Sequence, residues 1–289
     1  MCDSAQRSIA VGFFDGVHLG HQAVLRAADV AVTFKNHPLS VIAPEKAPKL
    51  IMSADERLEA IRSFGVKEVL AIDFTPDFAK CPCEEFAHRY FGSPGSARIF
   101  SGGDWRFGKG AQGDADWLLS HGWKVSTSSY ELYEGERISS SRIRKALEKG
   151  DVVSAANMLS RPYALTGDVF KGKGRGVQIG FPTVNLAVSK DKEPIIPLGV
   201  YDALVCNERA IVNFGFAPTF SSQAWAEPVI EAHFLGEVPK IPERGVKTEF
   251  LRFIRPEKKF SSIDELKEQI LIDKASCLNT PMKRQGVLI

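Results

Sequence analysis

Nowhere in the 289 residues is there an apolar run of eighteen, about the least that spans a bilayer as a helix. The opening MCDSAQRSIAVG has no basic stretch followed by an apolar signal core. No membrane partner is therefore expected, and the cytoplasm is the default compartment. A surplus of one charge is also lacking: 37 Lys and Arg against 35 Asp and Glu leave +2. That balance argues against a protein whose main business is coating nucleic acid or anionic lipid. Cysteine is sparse, with five copies scattered at 2, 81, 83, 206 and 277. Cys81-Pro82-Cys83 is too tight for a zinc ribbon and has no second pair, so reduced thiols are expected in place of a metal cluster. Internal repeats and low-complexity tracts are missing as well.

What is present suffices for two domains, since the length exceeds one ordinary domain and 44% of residues are hydrophobic. Over residues 1 to about 150, strand-like runs alternate with helical ones: Ser8 to Phe13, Val30 to Phe34, Glu68 to Ile72, Arg98 to Ser101 and Lys124 to Ser128. Helical patterns between them include one capped by Ser53, with Glu56 completing a capping box, and one over Glu84 to Phe91. The alternation predicts a parallel sheet with helices on its faces. A helical stretch from Ser139 to Leu159, broken at Gly150-Asp151, bridges to residues 161–289. There β-rich runs dominate: Tyr163 to Phe170, Gly199 to Cys206, Arg209 to Phe214, Val229 to Phe234 and Val246 to Ile254. Their Gly, Pro and Asn punctuation predicts an antiparallel barrel. An amphipathic helix from about Ser262 to Ala275, with Leu266, Ile270 and Leu271 as its apolar stripe, closes the chain.

One interval fails a physical check. A helix starting near His18 has about eleven residues in which to form, turn and reach the strand at Val30, with no turn signal after Ala28. Connections of this kind normally take roughly two to six residues, so residues are expected to be missing from the sequence between 26 and 31.

The decapeptide GFFDGVHLGH, residues 12–21, follows the first strand. In an open α/β sheet ligands bind outside the carboxyl ends of strands, beside helix N-termini. Gly12, Gly16 and Gly20 let the backbone approach a ligand, and His18 and His21, three apart, can meet one phosphate chain. The bland alternative is an ordinary turn with a satisfied histidine. At the end of the same half, ISSSRIR (138–144) places serines where they cap a helix, with Arg142 able to neutralise a phosphate. In the second half, Lys171, Lys173 and Arg175 alternate with Gly172, Gly174 and Gly176, a basic flap suited to polyphosphate or simply a solvated hairpin tip. In Val229 to Phe234 the strand period puts Glu231 and His233 on one face and Ile230 and Ala232 on the other.

GFFDGVHLGH resembles the G-x-F-D-G-x-H-x-G-H signature of the cytidylyltransferase-like nucleotidyltransferases, and ISSSRIR resembles their I-S-S-T-R. Thr33 to Pro38 (TFKNHP), Gly103 to Gly110 (GDWRFGKG) and Gly180 to Asn185 (GFPTVN) extend the resemblance to one family, the bifunctional bacterial FAD synthetases. Gly199-Val200-Tyr201, Asn213-Phe214-Gly215 with Pro218-Thr219, and Arg255 to Phe260 match its kinase module. The resemblance implies an α/β Rossmann-like nucleotidyltransferase domain (1–160), then an antiparallel β-barrel riboflavin kinase domain with a C-terminal helix (161–289). It implies ATP, riboflavin and FMN as substrates, FAD as product, and Mg²⁺.

By the same resemblance, His18, His21 and Arg142 handle the triphosphate, and Gly12, Phe14, Asp15, Gly20, Ser139, Ser140 and Ser141 line the first ATP site. Gly172, Lys173, Arg175 and Gly176 line the second. Thr183 and Asn185 hold the metal, and Glu231 is the base for the ribityl hydroxyl. His37, Asp104, Phe107 and Arg255 lie on the flavin side. Ser141 stands where threonine is commoner, Trp105 where phenylalanine is, and residues 236–245 lack the usual D-x-D-L-Y-G character. Two rival readings are a one-reaction nucleotidyltransferase acting on another phosphate or nicotinamide nucleotide, and a non-catalytic flavin-binding regulator.

Overall fold

The structure is a computed structural model and describes residues 6–172, 176, 180–216 and 228–281. Contacts divide the chain into two compact units, Met1–Arg142 and Ile143–Ile289.

In the first unit, β1 (Arg7–Val11), α1 (Leu19–Leu25), β2 (Val30–Phe34), α2 (Leu39–Ile42), α3 (Ala54–Ser63) and β3 (Glu68–Ile72) come first. They are followed by α4 (Cys83–Phe91), β4 (Ala97–Gly102), α5 (Ala115–Ser120) and β5 (Lys124–Ser128). A short antiparallel hairpin, β6 (Leu132–Tyr133) with β7 (Glu136–Arg137), ends the series. The strand order is β3-β2-β1-β4-β5, every pair parallel. Alternation along the strands splits the apolar residues between two faces. Ile9, Val11, Val30, Val32 and Ile99 pack with Phe86 and Phe107 on one. Ala10 and Ala31 pack with Phe14, Leu25 and Ile61 on the other. The capping box on α3 is formed, with Ser53 Oγ accepting from Glu56 N–H and Glu56 Oε2 from Ser53 N–H. The strand order reverses between β1 and β4, so the loops after these two strands flank the crevice where such sheets bind ligands.

The expectation of missing residues before Val30 is corrected. Because α1 has only seven residues and ends at Leu25, residues 26–29 form the whole return, within the usual loop length. Ala28 N–H donates to Leu25 O (3.1 Å) and Asp29 N–H to Ser8 O (3.0 Å), which lays the turn directly against β1. Asp29 O in turn accepts from Lys67 N–H at 2.8 Å.

The second unit contains most of α6 (Ser140–Glu148), which begins in the first, then α7 (Val152–Leu159) and β8 (Tyr163–Phe170). After these come β9 (Val184–Val188), β10 (Gly199–Val205), β11 (Glu208–Phe216), β12 (Pro228–Phe234), β13 (Val246–Arg255) and α8 (Ile263–Leu278). The break between α6 and α7 falls where Gly150 takes φ 77° and Asp151 caps α7. The strands close a barrel in the order β10-β11-β12-β9-β8-β13, all antiparallel. Tyr163, Tyr201, Phe214 and Phe250 are buried, with Phe250 in ring contact with each of the other three.

β10 is buried along its whole length because α8 covers the side facing away from the barrel core, where Val200, Ile211 and Cys277 cluster. Asp202 lies on that side and takes Arg209 in a two-pronged pair (2.9 and 2.6 Å), while Arg209 also reaches Thr280 O. The apolar stripe expected for α8 is corrected in part: Leu271 is exposed, and the buried positions are Asp273 and Cys277. Asp273 is buried because Arg255 of β13 neutralises it, through contacts of 2.8 to 3.1 Å.

Candidate active sites

The loop after β1 is held in costly backbone. Phe14 (φ 60°), Gly16 (φ 78°) and Val17 (φ 40°) all lie in the left-handed region, which a β-branched side chain rarely enters. Strain of this kind persists where the surroundings over-determine it, and it concentrates at ligand clamps. Here Val17 is fully buried, Gln22 donates to its carbonyl (3.0 Å), and Asp15 accepts from Ile51 N–H (3.0 Å). His18 caps α1, its Nδ1 accepting from His21 N–H at 3.3 Å. The two imidazoles stack with centroids 3.6 Å apart and planes 18° off parallel. Phe14 meets His21 edge-on at 5.3 Å, and a Cβ on Gly12 would come 2.9 Å from the Phe14 ring. Phe14 and Asp15 are thus buried supports of the loop, while Gly20 lies against His18.

ISSSRIR joins this loop directly: Ser140 Oγ donates to Asp15 O (2.9 Å), across 125 residues of chain. Ser139 Oγ accepts from Arg142 N–H (3.2 Å), and Ser141 is exposed on the first turn of α6. The Arg142 guanidinium donates to Tyr133 O and Glu136 O, both at 2.8 Å, and pairs with Glu136 Oε2 at 3.4 Å. It therefore fastens the β6–β7 hairpin.

On the expected flavin side, Phe13 meets His37 edge-on at 4.7 Å, which brings TFKNHP against the first loop. His37 Nδ1 accepts from Leu39 N–H (3.1 Å). Two residues not anticipated from sequence organise this corner. Asn36 clasps the Phe74 backbone with both amide atoms (2.9 Å each). Arg57, fully buried, lies over the Phe13 ring at 4.1 Å and donates to Phe34 O (2.6 Å) and Lys35 O (2.9 Å). Burial pushes its guanidinium below the usual range, and the Asp15 charge works against that. Asp104 pairs with Arg137 of β7 at 2.7 Å, and Arg137 sits 3.7 Å over Tyr130. Phe107 is a core residue, with half-buried Trp105 stacked on it at 4.7 Å.

The barrel assembles a separate polar row. Register puts Asn185, Glu231 and Asn213 side by side on β9, β12 and β11, with Phe170 of β8 flanking Asn185. Ile230 and Ala232 are buried while Glu231 is exposed, so the row lies on the outer face of the barrel wall. β9, absent from the sequence expectations, is what carries Asn185 there. Gly172 and Gly176 close on the motif from the flap: a Cβ at Gly172 would collide with the Asn185 amide. A Cβ at Gly176 would collide with Phe181 O and stand 3.1 Å from Thr183 Oγ1. Lys173, Arg175, Pro218 and Thr219 lie outside the described residues. Arg255, at the same level of the wall through Val200, gives its guanidinium to Asp273.

Thr183 and Asn185 offer hard oxygens with glycine backbone close by, the donor chemistry that a Mg²⁺–polyphosphate group takes. Among the described residues no cluster of three or more His, Cys, Asp or Glu could hold a metal ion, and Cys81, Cys83, Cys206 and Cys277 are free thiols.

A curated relative from Bacillus subtilis, named bifunctional riboflavin kinase/FMN adenylyltransferase, is 33% identical over 294 residues, covering 96% of this chain and 93% of the relative. This chain belongs to the bifunctional riboflavin kinase/FMN adenylyltransferase family. A relative of the same name from Escherichia coli K12 is 29% identical, covering 92% of this chain and 90% of its own. Residues 2–142 match the family model described as FAD synthetase, and residues 159–280 the one described as riboflavin kinase. Both motifs joined by the Ser140–Asp15 bond start within the first match, and the whole Asn185–Glu231 row lies within the second. A crystal structure described as a macrolide-efflux protein from Streptococcus pneumoniae shares the fold, with TM-score 0.82, 29% identity and 96% of both chains covered. No helix among the described residues of the present chain is long and apolar enough to cross a membrane.

Proposed function

We propose that this chain is a two-reaction transferase that phosphorylates riboflavin with ATP to give FMN, then adenylylates FMN with ATP to give FAD and pyrophosphate. The kinase reaction is assigned to the barrel and adenylylation to the α/β half, with the boundary near residue 160. The observation that carries this is that each half has its own polar assembly: GFFDGVHLGH bonded to ISSSRIR in one, Glu231 in register with Asn185 in the other.

In the barrel, Glu231 accepts the proton of the ribityl hydroxyl as that oxygen attacks the γ-phosphorus of ATP, whose bond to the β,γ-bridging oxygen breaks so that ADP leaves. Thr183 and Asn185 would hold Mg²⁺, which supplies charge neutralisation on the phosphates when bound. Gly172 and Gly176 let the flap backbone close on them, with Lys173 and Arg175 as the flap cations. In the α/β half the nucleophile is already a phosphate oxygen of FMN, so no covalent enzyme intermediate is needed. Alignment and charge neutralisation do the work as FMN attacks the α-phosphorus and pyrophosphate leaves. His18 and His21 take the triphosphate, Arg142 adds positive charge, and Gly12, Gly20 and Ser139 to Ser141 shape the cradle. His37 and Asp104, with the aromatic pair Trp105 and Phe107, form the flavin side; Arg255 is the corresponding flavin-side group of the barrel.

Incubating the chain with riboflavin, ATP and Mg²⁺ and separating the products by chromatography tests this. FMN and FAD together are expected. FMN alone overturns the adenylylation half, and neither product overturns the proposal in favour of another nucleotidyl transfer or a binding role.

A further inference from the structure

The outer face of β12 carries two polar side chains, Glu231 and His233, and the proposed chemistry leaves His233 without a task. Its Nδ1 lies 3.0 Å from Pro182 O. A carbonyl oxygen only accepts, so Nδ1 is the donor. Nε2 is buried and has no hydrogen-bond partner among the described residues. The Phe181 ring meets the imidazole edge-on at 5.3 Å. The ring is thus anchored to the two residues that immediately precede Thr183.

Register shows why an anchor is needed at this point. The β9–β12 ladder runs from Ala187↔Val229 to Val184↔Ala232 and ends there. Thr183 lies one residue beyond the ladder, in backbone that strand pairing does not hold. His233 is the next residue of β12, and its side chain spans the place where the next rung would have been. On the other side of this segment, Phe181 N–H donates to Gly176 O (2.8 Å), and Gly176 leaves no room for a Cβ against Phe181 O. One strand therefore grips the GFPTVN motif on both sides of Thr183: through the Glu231↔Asn185 register and through His233 on Pro182 O.

We propose that His233 is a positioning residue for the kinase reaction, acting through the Pro182 carbonyl to set the Thr183 hydroxyl relative to Asn185 and Glu231. It touches no substrate itself. The inference rests on the kinase reading of the barrel. Displacing a phosphate-holding group by about 1 Å costs on the order of 100-fold in rate, so the effect belongs in kcat and in Mg²⁺ dependence, with little in flavin binding.

Two substitutions in the full chain separate the hydrogen bond from the packing. His233→Phe keeps a ring against Phe181 and removes the donor; His233→Asn keeps a donor at the δ position and removes the ring. His233→Phe is expected to lower kcat for FMN formation roughly 10- to 100-fold and to raise the Mg²⁺ concentration giving half-maximal rate. Its riboflavin KM and its conversion of supplied FMN to FAD should stay within about twofold of the parent. His233→Asn is expected to recover most of kcat. A His233→Phe chain with unchanged kcat and Mg²⁺ dependence overturns the inference, as does an Asn variant as impaired as Phe. Should circular dichroism show that His233→Phe is misfolded, the Asn variant decides: kcat within about threefold supports the role and a loss beyond tenfold overturns it. A parent chain that makes no FMN overturns the kinase reading and this inference with it, whereas a parent that makes FMN at a rate indifferent to residue 233 overturns only the inference.

Discussion

Val17 shows what single residues contribute. A valine at φ 40° is tolerated only because Gln22, Asp15 and the buried side of α1 hold it there, and the result is a loop that presents His18 and His21 as a stacked pair. The sequence named those histidines from their spacing; it gave no sign that they would stack 3.6 Å apart or that Phe14 would back them. Two parallel imidazoles so close suit a shared anion better than two independent ones. His21→Ala is therefore expected to lower FAD formation from supplied FMN about 100-fold, the scale for losing one donor to developing charge, with kinase turnover nearly intact; separate assays of the two steps check this. Glu231→Gln is the mirror case. It keeps the shape and loses the base, so FMN formation should fall about 10²- to 10⁴-fold while adenylylation of supplied FMN persists.

Among the elements, α8 divides most clearly into what was legible and what was not. Its start could be read from the serine pair at 261 and 262, and it is Ser262 whose side chain accepts from Glu265 N–H as the cap. Its buried face could not, because Asp273 is held there by an ion pair to Arg255 of β13 and Cys277 packs on Val200 and Ile211, with no continuous apolar stripe to mark the face. Beneath it, a second ion pair joins two barrel strands: the Asp202 carboxylate of β10 is almost fully buried and meets Arg209 of β11, itself 17% exposed. Asp202→Ala leaves that cation uncompensated and is expected to cost about 3–5 kcal/mol, measured by denaturant unfolding of the full chain. The exposed start of α8 behaves differently with pH. Ser261 N–H, then Lys258 and the Ser261 hydroxyl, hold the Glu265 carboxyl down to about 2. A carboxyl depressed on folding contributes stability fully above its unfolded value, here 4.5, and loses it as pH falls through 2. Acid titration by circular dichroism should show part of the helix signal failing in that window, and Glu265→Gln should remove that component. β9 was missed for another reason: five residues beginning inside a motif carry too little periodicity to announce a strand.

For the whole molecule, the change from alternating strands and helices to closely spaced strands already announced two architectures. Cys277 reports on the integrity of the second. It is fully buried between α8 and the barrel, and burial, helped by the charge of Asp202, pushes its thiol up to about 11. A buried thiol with so little thiolate at neutral pH reacts slowly. Iodoacetamide should leave Cys277 unlabelled in the native chain and label it under denaturation, at a midpoint matching loss of the barrel, as mass spectrometry of the C-terminal peptides would show.

By itself the sequence determined the two fold classes, most strand positions, the serine caps such as Ser53 and the motif residues, since all of these depend on neighbours within a few positions. The tertiary structure alone decided which distant groups meet: Ser140 with Asp15, Arg57 beneath Phe13, Glu231 beside Asn185, Asp202 with Arg209. Such pairings depend on sheet order and register, which are fixed when the whole core packs, and no local spacing encodes them.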